Sequence, residues 1–404
     1  MQQNPTNIPF YRDVRVLKVL FQILFVLGVF LLAGILYANM LKGLESRGLN
    51  LKLDFWSNEA GFDVSDSIIE YDASDSYLKA FYVGVLNTVR VSLAGILCAT
   101  VLGLFFGIAR LSTNWLVRNI AATYIEIFRN VPLLLQIVFW FAIFGALPAA
   151  RDSVELFNAI YINNRSIHFP SLQLSVGFSS WVGYLYAAAV LSIISIFVLA
   201  LIFHRKQVER MEEGDDIGYF AHVPRAAKWS VVPVFFIVAI IGWFLVPESP
   251  FVLVRPELQR FNVVGGIRFS ASFISLLIGL SVYTGAFIAE VVRSGIQAVS
   301  KGQREAARSV GLSTGQTLRL IVLPQAVPII IPPLTSQYLN LAKNSSLAAA
   351  VGYDDLFQVG KRIMTKAGKE IPVFAMIMIN YLTMSLITSA AMNWYNSWVN
   401  RINR

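Results

Sequence analysis

Residues 302–311 read Gly-Gln-Arg-Glu-Ala-Ala-Arg-Ser-Val-Gly, and residues 321–324 read Ile-Val-Leu-Pro. This polar stretch lies between two strongly apolar segments, and its expected conformation decides how the rest of the chain is organised. Its first part consists of good helix formers. We therefore expect a short helix that ends at Gly311, where a residue without a side chain adopts the left-handed conformation at no steric cost.

A second short helix is predicted directly after Gly311. Ser313 is followed three residues later by Gln316, which is the spacing of a capping box at a helix start. Apolar residues continue this helix to Pro324, which we expect to mark the junction with the next apolar segment. The sequence thus predicts a rigid helix–glycine–helix element over residues 302–324.

The composition indicates a membrane protein. Of the 404 residues, 56% are hydrophobic and only 14% are charged, whereas soluble domains carry roughly 25% charged residues. Continuous apolar runs recur at the length that a membrane-spanning helix needs, and they do not alternate as the strands of a membrane barrel do. We predict an all-α, polytopic helical membrane protein with about eight transmembrane helices, at residues 17–40, 81–109, 120–148, 176–203, 229–247, 269–292, 325–351 and 373–398.

Several functional classes are excluded by what the sequence lacks. The net charge is +9, but no basic run exceeds two residues, so nucleic-acid binding is not expected. None of the three histidines has a second ligand at metal spacing, and no nucleophile–base constellation occurs, so neither a metal site nor an enzyme is expected. The chain also has no Gly-x-x-x-x-Gly-Lys-[Ser/Thr] sequence, so it is not expected to hold a nucleotide or another cofactor.

Loop charge predicts the orientation. Three cations precede the first span, and the predicted inner segments carry a weak excess of Lys and Arg, which places the N-terminus in the cytosol. Six crossings then return the chain to the cytosol at Arg293, so residues 302–324 and both termini are expected to be cytosolic. Four cations of a predicted outer segment work against this orientation: Lys361, Arg362, Lys366 and Lys369.

Ionisable groups within membrane spans are costly and are therefore candidates for function. Glu126 and Arg129 are three residues apart, so they share a helix face and are able to pair. Arg129 or Lys343 would offer a partner to an anionic group of a solute, and Glu126 or Glu290 would offer one to a cationic group. The alternative is structural: Glu126–Arg129 as an internal pair and Glu290 as an interfacial group. Lys343 is followed by two further polar candidates, Asn344 and Ser345.

Four stretches carry a resemblance to a known family. Residues 285–328 and the sequence Ala-Lys-Asn-Ser-Ser-Leu at 342–347 are similar to the polar amino-acid branch of ABC importer permeases, and residues 84–88 and 124–133 resemble its opening helices. Members of the branch are often shorter and have five spans. The added N-terminal span, the acidic segment after it and a central insertion resemble the larger permease subunit of bacterial general L-amino-acid or glutamate/glutamine/aspartate/asparagine importers.

The resemblance implies a domain order. Residues 1–79 would form an N-terminal anchor helix and a periplasmic segment, and residues 80–148 the first part of the permease core. Residues 149–268 would be an insertion with two transmembrane helices, and residues 269–404 the second part of the core with the loop 302–324.

The resemblance also implies the function and its partners. The chain would be the permease subunit of an ABC importer for polar L-amino acids in the bacterial inner membrane, surrounded by membrane lipid. Its partners would be a second homologous permease subunit, a cytosolic ATPase dimer that binds ATP and magnesium, and a periplasmic amino-acid-binding protein. The residues expected to dock on the ATPase are Gly302, Glu305, Ala306, Ala307 and Gly311. An ion-gradient-driven secondary amino-acid transporter is the alternative; it predicts internal inverted repeats, and none is detected.

Overall fold

A computed structural model describes residues 14–46, 53–212 and 229–402 of the chain. The fold is mostly helical, as predicted. The helices are α1 (Val14–Ser46), α2 (Tyr77–Ala109), α3 (Trp115–Asn130), α4 (Leu133–Gly145), α5 (Val176–Glu212), α6 (Val231–Leu245), α7 (Ala271–Ala298), α8 (Lys301–Ser309), α9 (Thr314–Thr317), α10 (Leu323–Asn344), α11 (Leu356–Ala367) and α12 (Glu370–Ile402). Residues 1–13 and 403–404, where the predicted cytosolic termini fall, lie outside the described residues.

The number of membrane spans agrees only roughly with the predicted eight. Six of the described helices are long and apolar enough to cross a membrane, and a seventh span results if the bent pair α3–α4 counts as one. The predicted span 120–148 is in fact these two helices, which meet at an angle of 105°. Pro132 lies at the break, where it has no amide to continue the helical hydrogen bonds. The predicted span 229–247 is the 15-residue helix α6, which is about 22 Å long and shorter than the hydrocarbon core.

Contacts divide the chain into two compact units, the first of which comprises residues 1–137 and 276–404. Helix α2 organises this unit through small residues along its length. Gly84 lies against Leu356 at the start of α11, and Gly95 lies against Leu341 of α10. Near the other end, Gly103 and Gly107 pack on α7. Gly103 and Gly107, spaced as Gly-x-x-x-Gly, therefore allow close helix–helix contact within this chain.

The buried fraction of each helix distinguishes the core helices of the first unit from the peripheral ones. In α7, 61% of the most apolar window is buried, whereas in α1 the figure is 0%. Helix α1 exposes large apolar side chains on all sides, as expected for a helix surrounded by lipid. Helix α7 is the central helix of this unit, and the predicted retained anchor α1 is peripheral to it.

The second unit, residues 138–275, contains short strands that the sequence analysis did not predict. Strands β1 (Val154–Leu156), β2 (Ile160–Ile162), β3 (Ser166–Phe169) and β8 (Ile267–Ser270) form one antiparallel sheet in the order β1-β2-β3-β8. Two further ribbons pair β4 (Ser171–Leu174) with β5 (Phe251–Val254) and β6 (Glu257–Gln259) with β7 (Asn262–Val264). Helices α5 and α6 pack against each other, and Trp181, Trp243 and Phe251 form an aromatic cluster where they join the ribbon β4–β5.

The contact between α2 and α7 makes a prediction about stability. A Cβ atom at Gly107 would lie 2.7 Å from the carbonyl oxygen of Ala289, which is backbone and cannot rotate away. Gly107→Ala is therefore expected to force the helices apart and to cost about 1–3 kcal/mol of the free energy of unfolding. The measurement is the thermal unfolding midpoint of the purified chain in detergent.

Gly34→Ala in α1 is the matched control, because a Cβ atom there meets nothing within 4 Å. This control is expected to keep the wild-type midpoint or to raise it slightly, since alanine favours the helix. Equal midpoints for the Gly107 and Gly34 variants would contradict the assigned contact.

Candidate functional site: an exposed helical loop and the polar groups of the spans

The predicted helix, glycine turn and second helix are all present between α7 and α10. Helix α8 ends at a Schellman motif: the Gly311 amide donates to the Arg308 carbonyl (2.9 Å) and the Leu312 amide to the Ala307 carbonyl (3.1 Å). Gly311 has a φ of +82°, the left-handed region in which a side chain is strained. The turn is thus fixed by backbone hydrogen bonds and by the absence of a side chain.

The second helix starts with the predicted capping box and does not end at Pro324. The Ser313 amide donates to the Gln316 side-chain oxygen (2.9 Å), and the Gln316 amide donates to the Ser313 hydroxyl (3.4 Å). Helix α9 then passes through a π-helical segment, Leu318–Val322, directly into α10. Pro324 lies in the first turn of α10, at the expected junction, where it removes an amide but leaves the helix continuous.

Four of the five predicted docking residues are exposed. Gly302, Glu305, Ala306 and Gly311 lie at the surface, and a Cβ atom at either glycine would meet nothing within 4 Å. Glu305 has only a 3.6 Å contact with the exposed Lys301, a type of pair that contributes little. Ala307 is 4% exposed and packs inward.

Arg304 ties the loop to the preceding span. Its guanidinium donates to the carbonyls of Ile296 (2.6 Å) and Val299 (3.3 Å), at the end of α7. These carbonyls have no amide partner within the helix, so the arginine caps the helix end. Helix α8 is thereby held to α7 by a charged hydrogen-bonding group. The sequence analysis assigned no role to Arg304, although its position next to Glu305 in a helix of small residues was visible.

The candidates Glu126 and Arg129 lie on the exposed side of α3. Among the ion pairs of the described residues none joins these two side chains, although their spacing allows it. The Arg129 guanidinium instead lies 5.2 Å from the centre of the Phe287 ring on α7, a cation–π arrangement. Both charges are therefore on a face that this chain leaves open.

Glu290 is paired within its own helix. The Arg293 guanidinium donates to both oxygens of the Glu290 carboxylate, and the Nε–Oε2 distance is 2.9 Å. Both side chains are about one-third exposed or less. Glu290 thus has a partner one turn further along its own helix, and this partner at the i+3 position was readable from the sequence.

The candidates at the end of α10 differ from one another in environment. The Lys343 side chain is exposed, and within the described part of the chain it forms no ion pair or hydrogen bond. Ser345 is fully buried, and its hydroxyl donates to the Ala342 carbonyl (2.8 Å). Asn344 is partly buried at the end of the helix. In the described residues, no hydrogen bond or ion pair connects this group to Glu126, Arg129 or Glu290.

A polar cluster that the sequence analysis missed joins the segment 53–76, here called the strap, to α11. The amide and hydroxyl of Ser65 donate to Asp354 Oδ2 at 2.9 and 3.0 Å, and Arg362 pairs with the same carboxylate at 2.7 Å. Arg362 also donates to the Asp63 carbonyl (2.7 Å) and Lys366 to the Gly61 carbonyl. Two of the cations that opposed the predicted orientation therefore hold the strap.

Apolar packing supports the same contact. Phe55 and Ala60 of the strap are buried in one cluster with Leu356, Val359 and Ile363 of α11. The strap and α11 must therefore lie on the same side of the membrane. This agrees with the predicted topology, in which both segments follow an odd number of crossings.

Helix α11 is also fixed to α2 and α12 by buried polar groups. The Asn87 side chain donates to the Asp354 carbonyl (2.9 Å), and the Leu356 amide donates to the Thr88 hydroxyl (2.9 Å). Asp355 caps α11 by accepting from the Gln358 amide (2.9 Å), and the Tyr381 hydroxyl donates to its other oxygen (3.1 Å).

The burial of Asp355 makes a pH prediction. Burial raises the pKa of the Asp355 carboxyl to about 6, although the hydrogen bonds from Gln358 and Tyr381 act in the opposite direction. The folded chain therefore binds this proton more tightly than the unfolded chain. The contribution of Asp355 to the free energy of unfolding accordingly falls as the pH rises from about 4 to about 6, by up to about 3 kcal/mol.

Asp355→Asn removes this titration and keeps a capping oxygen. The unfolding midpoint of the variant relative to wild type, measured in detergent, is expected to rise between about pH 4 and about pH 6. Glu70→Gln, which removes an exposed carboxylate of the strap, is the control. Parallel pH profiles for wild type and Asp355→Asn would refute the assignment.

Comparisons with known proteins identify the class of this membrane protein. Residues 228–401 match the family described as "Binding-protein-dependent transport system inner membrane component". The "Putative amino-acid ABC transporter permease protein YhdX" of Escherichia coli is 41% identical, over 95% of this chain and 94% of that protein. The "General L-amino acid transport system permease protein AapQ" of Rhizobium johnstonii is 39% identical, over 87% of this chain and 84% of that protein.

A third relative also matches this chain over most of both sequences. The "Glutamate/glutamine/aspartate/asparagine transport system permease protein BztB" of Rhodobacter capsulatus is 36% identical, over 96% of this chain and 93% of that protein. A solved structure, "Crystal structure of an amino acid ABC transporter with histidines", is 18% identical with a TM-score of 0.44, over 80% of this chain and 94% of its own. The chain belongs to the family of amino-acid ABC transporter permeases, and it is a multi-pass inner-membrane transport component.

Proposed function

We propose that this chain imports polar L-amino acids as one half of an ABC importer, and that a separate ATPase drives it by docking on residues 302–324. The observation that carries the proposal is the exposed surface of α8. Gly302 and Ala306 leave room for a partner to approach closely, and Glu305 offers a carboxylate that no strong pair occupies. The Schellman turn and the Arg304 cap make this surface rigid, as a coupling element requires.

The partners follow from what one chain lacks. It has no nucleotide-binding loop, so ATP and magnesium would be held by a cytosolic ATPase dimer. It has one coupling loop for two ATPase subunits, so a second homologous permease subunit would complete a heterodimer. A periplasmic binding protein would deliver the substrate on the side of the strap and α11, and both termini would be cytosolic with the loop.

The substrate class rests on the relatives. One is named for general L-amino-acid transport and another for glutamate, glutamine, aspartate and asparagine transport. Polar L-amino acids are the class these names share. None of the relatives reported above is named as a secondary transporter, so the ion-gradient alternative has no support.

Gentle detergent purification tests the proposal directly. The tagged chain, expressed with the other genes of its transporter, is expected to bring down an ATPase and a second permease, and membrane vesicles that contain the complex are expected to take up glutamine or glutamate when ATP is supplied. Uptake by the purified chain alone, without an ATPase, would refute the proposal.

Two substitutions test the docking surface. Glu305→Lys reverses its free charge, and Gly311→Trp forces a side chain into the left-handed conformation. Both are expected to reduce ATPase recovery and uptake at least tenfold with normal membrane insertion. Gly368→Ala is the matched control, because Gly368 has a φ of +62° at the end of α11 and equally open surroundings, but lies away from the loop. Wild-type uptake in both loop variants would remove the loop from the mechanism.

A further inference from the structure

One face of α10 is polar although no part of the described chain covers it. Ser336, Asn340 and Lys343 are all exposed, and they follow one another at intervals of four and three residues. At 100° per residue these three side chains fall within about 60° of the helix circumference. They form a narrow longitudinal row, here called the α10 stripe.

The exposed face of α12 shows the opposite chemistry. Its outward side chains Phe374, Met378, Leu382 and Leu386 recur at intervals of four residues and are 49–61% exposed. An apolar row of this kind is what a membrane-spanning helix presents to lipid. Helices α10 and α12 pack against each other within the first unit. Their exposed faces nevertheless differ in polarity.

Two hydroxyl groups of α10 outside the α10 stripe have partners, whereas the side chains of the stripe do not. The Tyr338 hydroxyl bonds to the Thr100 hydroxyl of α2 (2.8 Å), and the Thr335 hydroxyl donates to the Ile331 carbonyl (2.9 Å). Within the described residues, the side chains of Ser336, Asn340 and Lys343 form no hydrogen bond or ion pair.

The backbone under the α10 stripe is also short of partners. Pro332 and Pro333 are exposed one turn before Ser336, and neither has an amide to offer to the carbonyls four residues earlier. Non-helical or unpaired backbone at membrane depth is tolerated where it lines a water-filled cavity. The carbonyls of Pro328 and Ile329 therefore need water or another donor on this side of the helix.

Lipid is an unfavourable environment for such a face. A charged lysine at the centre of a membrane helix is unfavourable in lipid. Lys343 alone, close to a helix end, is long enough to reach the membrane surface. The short side chains of Asn340 and Ser336 lie about 15 and 21 Å from the end of the span at Ala350 and have no such escape.

We propose that the α10 stripe lines a water-filled path and guides the substrate along it. Lys343 would bind a carboxylate of the substrate, and Asn340 and Ser336 would offer hydrogen bonds further along the helix. This inference rests on the proposed function, because the path would lie between this chain and its partner permease. In this arrangement the exposed apolar face of α12 contacts lipid.

Cysteine labelling tests the α10 stripe in the assembled transporter. The exposed native cysteine is first removed by Cys98→Ala. Ser336→Cys and Asn340→Cys are then introduced one at a time, with Met378→Cys and Leu382→Cys on α12 as controls. Membranes are treated from both sides with a charged, membrane-impermeant methanethiosulfonate, which reacts with the thiolate. Apolar surroundings keep a thiol protonated, so lipid-facing cysteines react slowly.

The stripe cysteines are expected to react at least ten times faster than the α12 cysteines, and added glutamine or glutamate is expected to slow them. If the stripe cysteines react as slowly as the α12 controls while the ATPase still co-purifies, the proposed role of the α10 stripe is wrong. The proposed function is then unaffected. Fast labelling without any co-purified ATPase would support the path and overturn ATPase coupling instead.

Discussion

The lack of water in the hydrocarbon core is the constraint on which this structure depends, because every polar group placed there must find a partner in protein or in an aqueous space. Most do so within the chain. The Tyr124 hydroxyl donates to the Val282 carbonyl (2.8 Å), Thr100 bonds to Tyr338, and Glu290 is bridged by Arg293. Exposed polar side chains that the described part of the chain leaves uncovered lie on α3, at Glu126, and on α10, at Ser336, Asn340 and Lys343.

Local signals predicted what local chemistry determines. The apolar runs located most of the spans, and Gly311 with Ser313 and Gln316 predicted the turn and the cap, since each depends on neighbours within a few residues. The bend at Pro132 was missed because residues 120–148 were taken as one continuous span, although α3 carries charged residues up to Arg129 and α4 carries none. The strands were missed because elements of three or four residues are too short to show a period of two.

The site was predictable only where sequence neighbours form it. The exposed surface of α8 follows from its own residues. The attachment of the strap to α11 does not, because Ser65 and Asp354 are 289 residues apart and nothing near either one indicates the other. For the same reason Lys361, Arg362, Lys366 and Lys369 appeared as evidence against the orientation, whereas two of these four hold an acidic segment in place. Counting the charges of loops is a poor guide to orientation where those charges are paired in tertiary contacts.

Helix α2 connects the two ends of the first unit. Its 33 residues span about 50 Å. At one end Gly103 and Gly107 contact α7, whose terminal carbonyls are held by Arg304 of the loop. At the other end Asn87 and Thr88 bond directly to the start of α11. The loop and the segment that begins α11 are thus joined through α7 and α2 by packed glycines and side-chain hydrogen bonds, and α2 is the element common to both contacts.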